Sequence, residues 1–216
     1  MELQRPAAVR RGLRLEAVTV GWMLVEACVA LGAAVAARSV LLAAFGFDSI
    51  VELLSGIVLY RRLQVESSGA PEEAVDRLVA RTTAISAVLL ILLCVFVVLS
   101  SILGLLLRIE PEGSVVGIAV SAIAIVAMPA LARAKHRVNK VIGSPSLRAD
   151  IAETISCAYL AAVTLAGLAA TTLFGWWWAQ YVAALALLIW LVPEAREAFW
   201  AWRDNEAESE GRGQEL

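Results

Sequence analysis

Histidine is nearly missing from this chain: 216 residues contain one, His136, within a basic segment. No His-Glu-x-x-His stretch and no Ser/His pairing exists, so an intramembrane enzyme is not the expectation. Cysteine is scarce as well. Cys28, Cys94 and Cys157 all fall in apolar runs, which excludes a disulfide framework as the basis of the fold. Charged residues make up only 18% of the chain and the net charge is −2. No soluble domain is expected, and no nucleic-acid partner. The polar, acidic stretch 204–211 has too little apolar content to fold alone.

What fills the chain instead is apolar: 60% of its residues are hydrophobic, which is the composition of a polytopic membrane protein. Six spans can be drawn, at 15–37, 39–60, 82–107, 114–132, 149–174 and 175–193, each long enough to cross ~30 Å of hydrocarbon as a helix. The expected fold class is therefore all-α, a transmembrane domain over 15–193 between a polar segment at 1–14 and a short polar segment at 194–216. The first apolar run is too long for a signal-peptide core and lacks a small-residue cleavage site, so it reads as a retained span. Arg38 and Ser39 alone join the first two spans, and the last two meet near Gly175. Both connections must be tight hairpins.

Loop charge orients the spans. Arg5, Arg10, Arg11 and Arg14 precede the first, Arg61, Arg62, Arg77 and Arg81 follow the second, and Arg133, Lys135, Arg137, Lys140 and Arg148 lie between the fourth and fifth. Only Arg38 and Arg108 fall on the opposite side, so both termini are expected in the cytoplasm. Glu110-Pro111-Glu112-Gly113 reads as a turn, Ser144-Pro145 as an N-cap with proline at the first helical position, and Pro129 as a bend near the exit of the fourth span. Trp176, Trp177 and Trp178 at one end of the sixth span and Trp200 and Trp202 beyond the other form an aromatic belt.

Against this background the informative residues are acids. The third, fourth and sixth spans hold none, whereas Glu26, Asp48, Glu52 and Glu153 lie inside the first, second and fifth, with Asp150 at the mouth of the fifth. An ionised side chain at such depth costs at least ~2.5–3.5 kcal/mol on insertion scales and is read as functional by default. At ~1.5 Å per residue Asp48 lies roughly 13 Å into its span, Glu153 roughly 10 Å and Glu26 about 16 Å, so oppositely directed helices bring them towards the midplane. Residues i and i+4 share a helix face, which pairs Asp48 with Glu52 and Glu153 with Cys157. Three oxygens and a sulfur would suit a tetrahedral divalent ion, zinc first, and the thiolate argues against magnesium or calcium. Such a cluster cannot stay fully ionised when empty, so metal entry should release protons and proton entry should release metal. Single intramembrane acids also occur as hydrogen-bonded packing residues, and a lone cysteine is often a small buried hydrophobe. Glu26 is open between ligand, proton relay and structural partner.

These residues resemble the cation diffusion facilitators, six-span divalent-metal/proton antiporters, and the likeness runs over all six spans. That family carries Asp-x-x-x-Asp in its second span and Ala-Asp-x-x-His-x-x-x-Asp in its fifth. Asp48-Ser49-Ile50-Val51-Glu52 is similar to the first and Ser146-Leu147-Arg148-Ala149-Asp150 to the lead-in of the second. Glu153 replaces the histidine and Cys157 the final aspartate. The resemblance is to a short branch without the cytoplasmic ferredoxin-like domain, and it implies that spans one, two, four and five form a central bundle with three and six paired outside. The two halves also have the layout of an inverted repeat.

The expectation is thus a metal-efflux antiporter with no resident cofactor. Zn2+ or another divalent transition metal would be held by Asp48, Glu52, Glu153 and Cys157, with Glu26 and Asp150 behind them or in a proton relay. Metal ion, protons, lipid and a homodimer are its expected partners, and a bacterial inner membrane its expected place. The competing expectation is a non-transporting membrane adaptor or weak metal sensor that keeps the fold.

Overall fold

Hydrocarbon offers a backbone no hydrogen-bond partners, so an apolar run that crosses a bilayer must satisfy its own peptide groups, and helices do this along each segment. The computed structural model describes the backbone of residues 5–68 and 73–213 and the side chains of residues 7–65, 84–144 and 147–203. Its elements are six helices: α1 (Arg5–Ala37), α2 (Val40–Ser68), α3 (Glu73–Leu106), α4 (Val115–Ile142), α5 (Pro145–Phe174) and α6 (Ala179–Gly213). Five regions, Ala7–Ala37, Val40–Val65, Ala84–Leu106, Val115–Ile142 and Leu147–Phe174, are long and apolar enough to cross a membrane, the pattern of a multi-pass membrane protein. In α6 the apolar run is interrupted by Pro193 and Glu194.

The helices outrun the apolar spans. Residues 133–142, expected as a loop, continue α4, and the acidic stretch 204–211 continues α6. The first is rich in arginine and lysine and the second in glutamate, good helix formers that extend a helix already nucleated by its apolar part. Pro129 and Pro193 both lie inside their helices.

The connections follow the local chemistry. Arg38 takes a left-handed conformation (φ 51°) and lets Ser39 N–H reach back to Ala34 O at 3.0 Å, a Schellman-type ending, while Ser39 Oγ accepts from Leu42 N at 3.1 Å and caps α2. Arg108 (φ 50°) closes α3 in the same way, with Ile109 N–H on Gly104 O at 2.9 Å. Ser114 caps α4, Gly143 ends it in the left-handed region, and Ser144-Pro145 opens α5 as its sequence requires. Gly175 (φ 68°) ends α5, and Trp176 and Trp178, exposed and stacked at 5.7 Å, fill the turn before α6.

The α1–α2, α3–α4 and α5–α6 connections form a hairpin end, where Glu112 N–H bonds Ala37 O at 2.9 Å, Ser39 Oγ donates to Gln180 Oε1 at 2.5 Å and Tyr181 hydroxyl to Ile109 O at 2.7 Å. The opposite, terminal end is where α1 begins and α6 ends. Within the bundle α1 packs on α2 and α4, α4 on α5, and α2 also on α5; α3 packs chiefly on α6 and sits beside α2. A large core around Leu41, Leu42, Phe45, Leu160 and Leu168 lies towards the hairpin end, and a smaller one around Leu63, Val138, Ile142 and Leu147 holds the terminal end. Leu99, Leu103, Leu106, Val126 and Leu173 remain exposed, apolar surface of the kind lipid covers.

Candidate functional site

Glu26 stands at the centre of the buried polar groups. It is fully buried on α1, and its neighbours are donors: Trp22 Nε1–H, one turn earlier, donates to Oε2 at 2.5 Å, and the Ser49 hydroxyl of α2 to Oε1 at 2.8 Å. Cys157 Sγ of α5 lies 3.6 Å from the same Oε1. The Glu52 carboxyl of α2 is the strongest charged neighbour of the thiol, and its Oε2 is buried without a hydrogen-bond partner among the described residues. Two carboxyls and a thiol from three helices therefore meet around one sulfur. Cys157 is fully buried and Glu52 nearly so.

The two remaining expected ligands act on this cluster through charge and, among the described residues, not through a hydrogen bond. Asp48 is buried, and the charges acting on it are, in order, Glu194, Glu26 and Glu153. Glu153 is half-buried, and its strongest charged neighbour is again Glu194, followed by Asp150 and Lys135. Residues i and i+4 share a face but are displaced by ~6 Å along the axis, so each pair divides between two levels of the bundle. Among the described residues, no three His, Cys, Asp or Glu side chains are arranged to hold a metal ion. Glu26, left open by the sequence, is thus nearer to Cys157 than the pairing of residues by spacing suggested.

Asp150, expected behind the ligands or in a relay, instead belongs to a buried charge triad nearer the terminal end. Lys135 Nζ of α4 hydrogen-bonds Asp150 Oδ2 at 2.6 Å and pairs with Glu16 Oε2 of α1 at 3.0 Å. Lys135 and Glu16 are fully buried. Gly56 makes room for this group on α2, since a Cβ there would stand 3.1 Å from Glu16 Oε1. The triad ties α1, α4 and α5 across the bundle.

Glu16, Lys135 and Glu194 escape a reading based on apolar spans, because each lies at or beyond a span's edge. A signal for Lys135 is nonetheless present. The buried stripe Val120, Ala124, Met128, Ala132, Lys135, Val138, Ile142 keeps helical spacing straight through the basic segment. His136, its neighbour, points outward as expected.

Next to the acids lies a cavity of about 620 Å³ between α2, α3, α5 and α6, open at the terminal end. Val51 and Ser55 form its α2 wall, Glu153 and Ser156 its α5 wall, and Glu194 and Glu197 its α6 wall. Val51 is three residues from Asp48, so the cavity reaches within a helical turn of the buried acids. Chemically, the arrangement offers groups that can hold either protons or a cation, beside an open cavity. No family model matches this chain, and no curated protein matches it.

Proposed function

We propose that this chain is a proton-coupled transporter of a divalent transition-metal cation, with zinc the leading candidate. The observation that carries the reading is the meeting of Glu26, Glu52 and Cys157, from α1, α2 and α5, in a protein whose helices are largely apolar. Buried acids of this kind are costly and mark ion or proton paths. Protons on the two carboxyls and the thiol, and a divalent ion bound by their deprotonated forms, are mutually exclusive occupants, which couples metal movement to proton movement. A thiol in the set favours zinc or cadmium over magnesium or calcium. Asp48, one turn from Glu52, and Glu153 complete the ligand supply as the ion arrives or leaves.

The likeness to cation diffusion facilitators supports the same reading, and the packing of α1, α2, α4 and α5 with α3 and α6 paired at one side is the arrangement that likeness implies. On this reading α6 is the sixth span, the arginine-rich terminal end faces the cytoplasm by the positive-inside rule, and the protein is an exporter in a cell membrane. The test is zinc flux into proteoliposomes under a pH gradient, followed with a zinc-sensitive dye. Parent protein is expected to carry zinc while Asp48→Ala and Glu52→Gln fall to the level of empty vesicles. Undiminished transport by both variants would remove the acids from the mechanism.

A second reading, a non-transporting membrane adaptor, draws on a different observation: Glu26 and Cys157 are already satisfied by one another, by Ser49 and by Trp22. The two readings diverge in thiol chemistry. With Cys28 and Cys94 replaced by serine, cadmium is expected to slow maleimide labelling of Cys157 in membranes if the residue is a ligand. Labelling indifferent to cadmium, with acid-to-amide variants that lose only thermal stability, would favour the adaptor.

A further inference from the structure

Glu194 has no role in the cluster around Cys157, yet it is the strongest charged neighbour of both Asp48 and Glu153. Its position follows from α6 passing the cavity: Trp190, Pro193, Glu194 and Glu197 recur at helical spacing along one wall. Glu153 and Glu194 are half-buried inside, whereas Glu197 and Arg62 are exposed at the mouth. Asp150, at the same wall, is tied to Lys135, which it shares with Glu16. Three carboxylates therefore face one guanidinium in a cleft with apolar walls, an arrangement that concentrates cations.

An acidic cleft alone would be a solvated surface. Here α3 adds a further sign of a polar occupant: Ser86 lines the cavity, is 7% exposed, and its buried Oγ has no hydrogen-bond partner among the described residues. A buried hydroxyl left unpaired is costly unless something polar reaches it. The cavity's volume identifies the scale of that occupant. Six waters at ~30 Å³ each need roughly 180 Å³, so a hydrated divalent ion fits with its shell intact, whereas the acids stand too far apart to bind a bare one. An aromatic-caged organic cation is disfavoured, because Trp190 stacks on Tyr159 at 4.3 Å and its N–H is engaged by Ser156 Oγ at 3.0 Å.

We propose that this cavity is a loading vestibule, in which Glu153, Glu194 and Glu197 gather a hydrated divalent cation, with Ser86 contacting its water shell, before it is stripped of water at the buried acids. The vestibule rests on the transport reading for its purpose and on the cavity for its existence. It binds through water and charge, so it is weak, salt-sensitive and indifferent to the thiol. Its key residue comes from α6, outside both i,i+4 pairs.

The experiment is a Mn2+ titration of the full chain in nanodiscs, without a pH gradient, read by electron paramagnetic resonance. Parent protein should show a bound, still-hydrated Mn2+ population at low salt. Glu194→Gln should weaken it about tenfold, the lower range for field focusing in a charged cleft, and the difference should vanish near 1 M salt, where the Debye length is ~3 Å. Glu194→Asp should restore binding and Cys157→Ser should leave it unchanged. Parent-like binding by Glu194→Gln overturns the vestibule, as does failure of Glu194→Asp to rescue, which would make the residue a packing element. In proteoliposomes Glu194→Gln should raise the KM for zinc about tenfold with the maximal rate kept, the signature of lost approach rather than lost chemistry. The two readings fail separately. A parent that moves no zinc but binds Mn2+ through Glu194 sinks transport alone, and zinc transport with Glu194-independent Mn2+ binding sinks the vestibule alone.

Discussion

Replacing Lys135 with methionine is expected to destabilise the protein by about 3–5 kcal/mol, the cost of removing one partner from a buried charge group. Methionine matches the lysine stem in length and apolar character, so packing is largely kept and the loss isolates the charge. Without the ammonium, Glu16 and Asp150 face one another among α1, α4 and α5 with their counter-charge gone. Glu16 is fully buried, out of reach of bulk water. Thermal unfolding in a mild detergent, followed by loss of the monodisperse peak on size exclusion, is the measurement. The triple variant Glu16→Gln, Lys135→Met, Asp150→Asn should recover most of the loss, because replacing every member of a buried ion group is often near neutral. A Lys135→Met midpoint equal to the parent's would mean that water solvates the triad inside the bundle.

Cys157→Ser should leave the fold intact and change the ion. A serine hydroxyl can occupy the thiol's place and make the same bond to Glu26, and the change in volume at this fully buried position is small. What disappears is the soft ligand. Cadmium and zinc, which bind thiolate well, should lose at least the roughly 10–100-fold that removal of even an outer-shell partner costs a metal site, while manganese, suited to oxygen, should lose little. Competitive uptake of cadmium and manganese by the same vesicles gives the ratio directly. An unchanged ratio would show that the thiol only packs against the acids.

Much of the fold was legible because it follows from local rules. Apolar length gave the helices, Arg38-Ser39 and Gly175 the tight connections, and Ser144-Pro145 the start of α5. The convergence of Glu52 with Cys157 was also within reach, since opposed helices carry them to similar depth. The contact of Glu26 with Cys157 was not: it depends on how far α5 is rotated about its own axis, which packing against α4, α6 and α2 determines. The triad was hidden for a different reason. A run of lysines and arginines reads as topological charge, and only the helical spacing of the apolar stripe from Val120 to Ile142 separates Lys135, facing α1 and α5, from His136 and Arg137, facing outward. Glu194 was hidden by Pro193, which seemed to close the span yet lies within α6.

The two ends of the bundle differ in how closely their helices touch. Towards the hairpin end a side chain at Gly104 would collide with the Tyr181 ring, one at Gly167 would stand 2.7 Å from Ala183 Cβ, and one at Gly117 would stand 2.8 Å from Leu42. Those contacts are backbone against side chain, with no slack, and the bonds among Ser39, Gln180, Glu112, Tyr181 and Ile109 lie over them. At the terminal end α6 is separated from α2 by the open cavity. Mechanically this is a pair of tongs, with its pivot at the hairpin end and its jaws at the other. By the geometry of a lever, any rotation of α6 about the hairpin end would displace Glu194 and Glu197 further than the contacts around Tyr181.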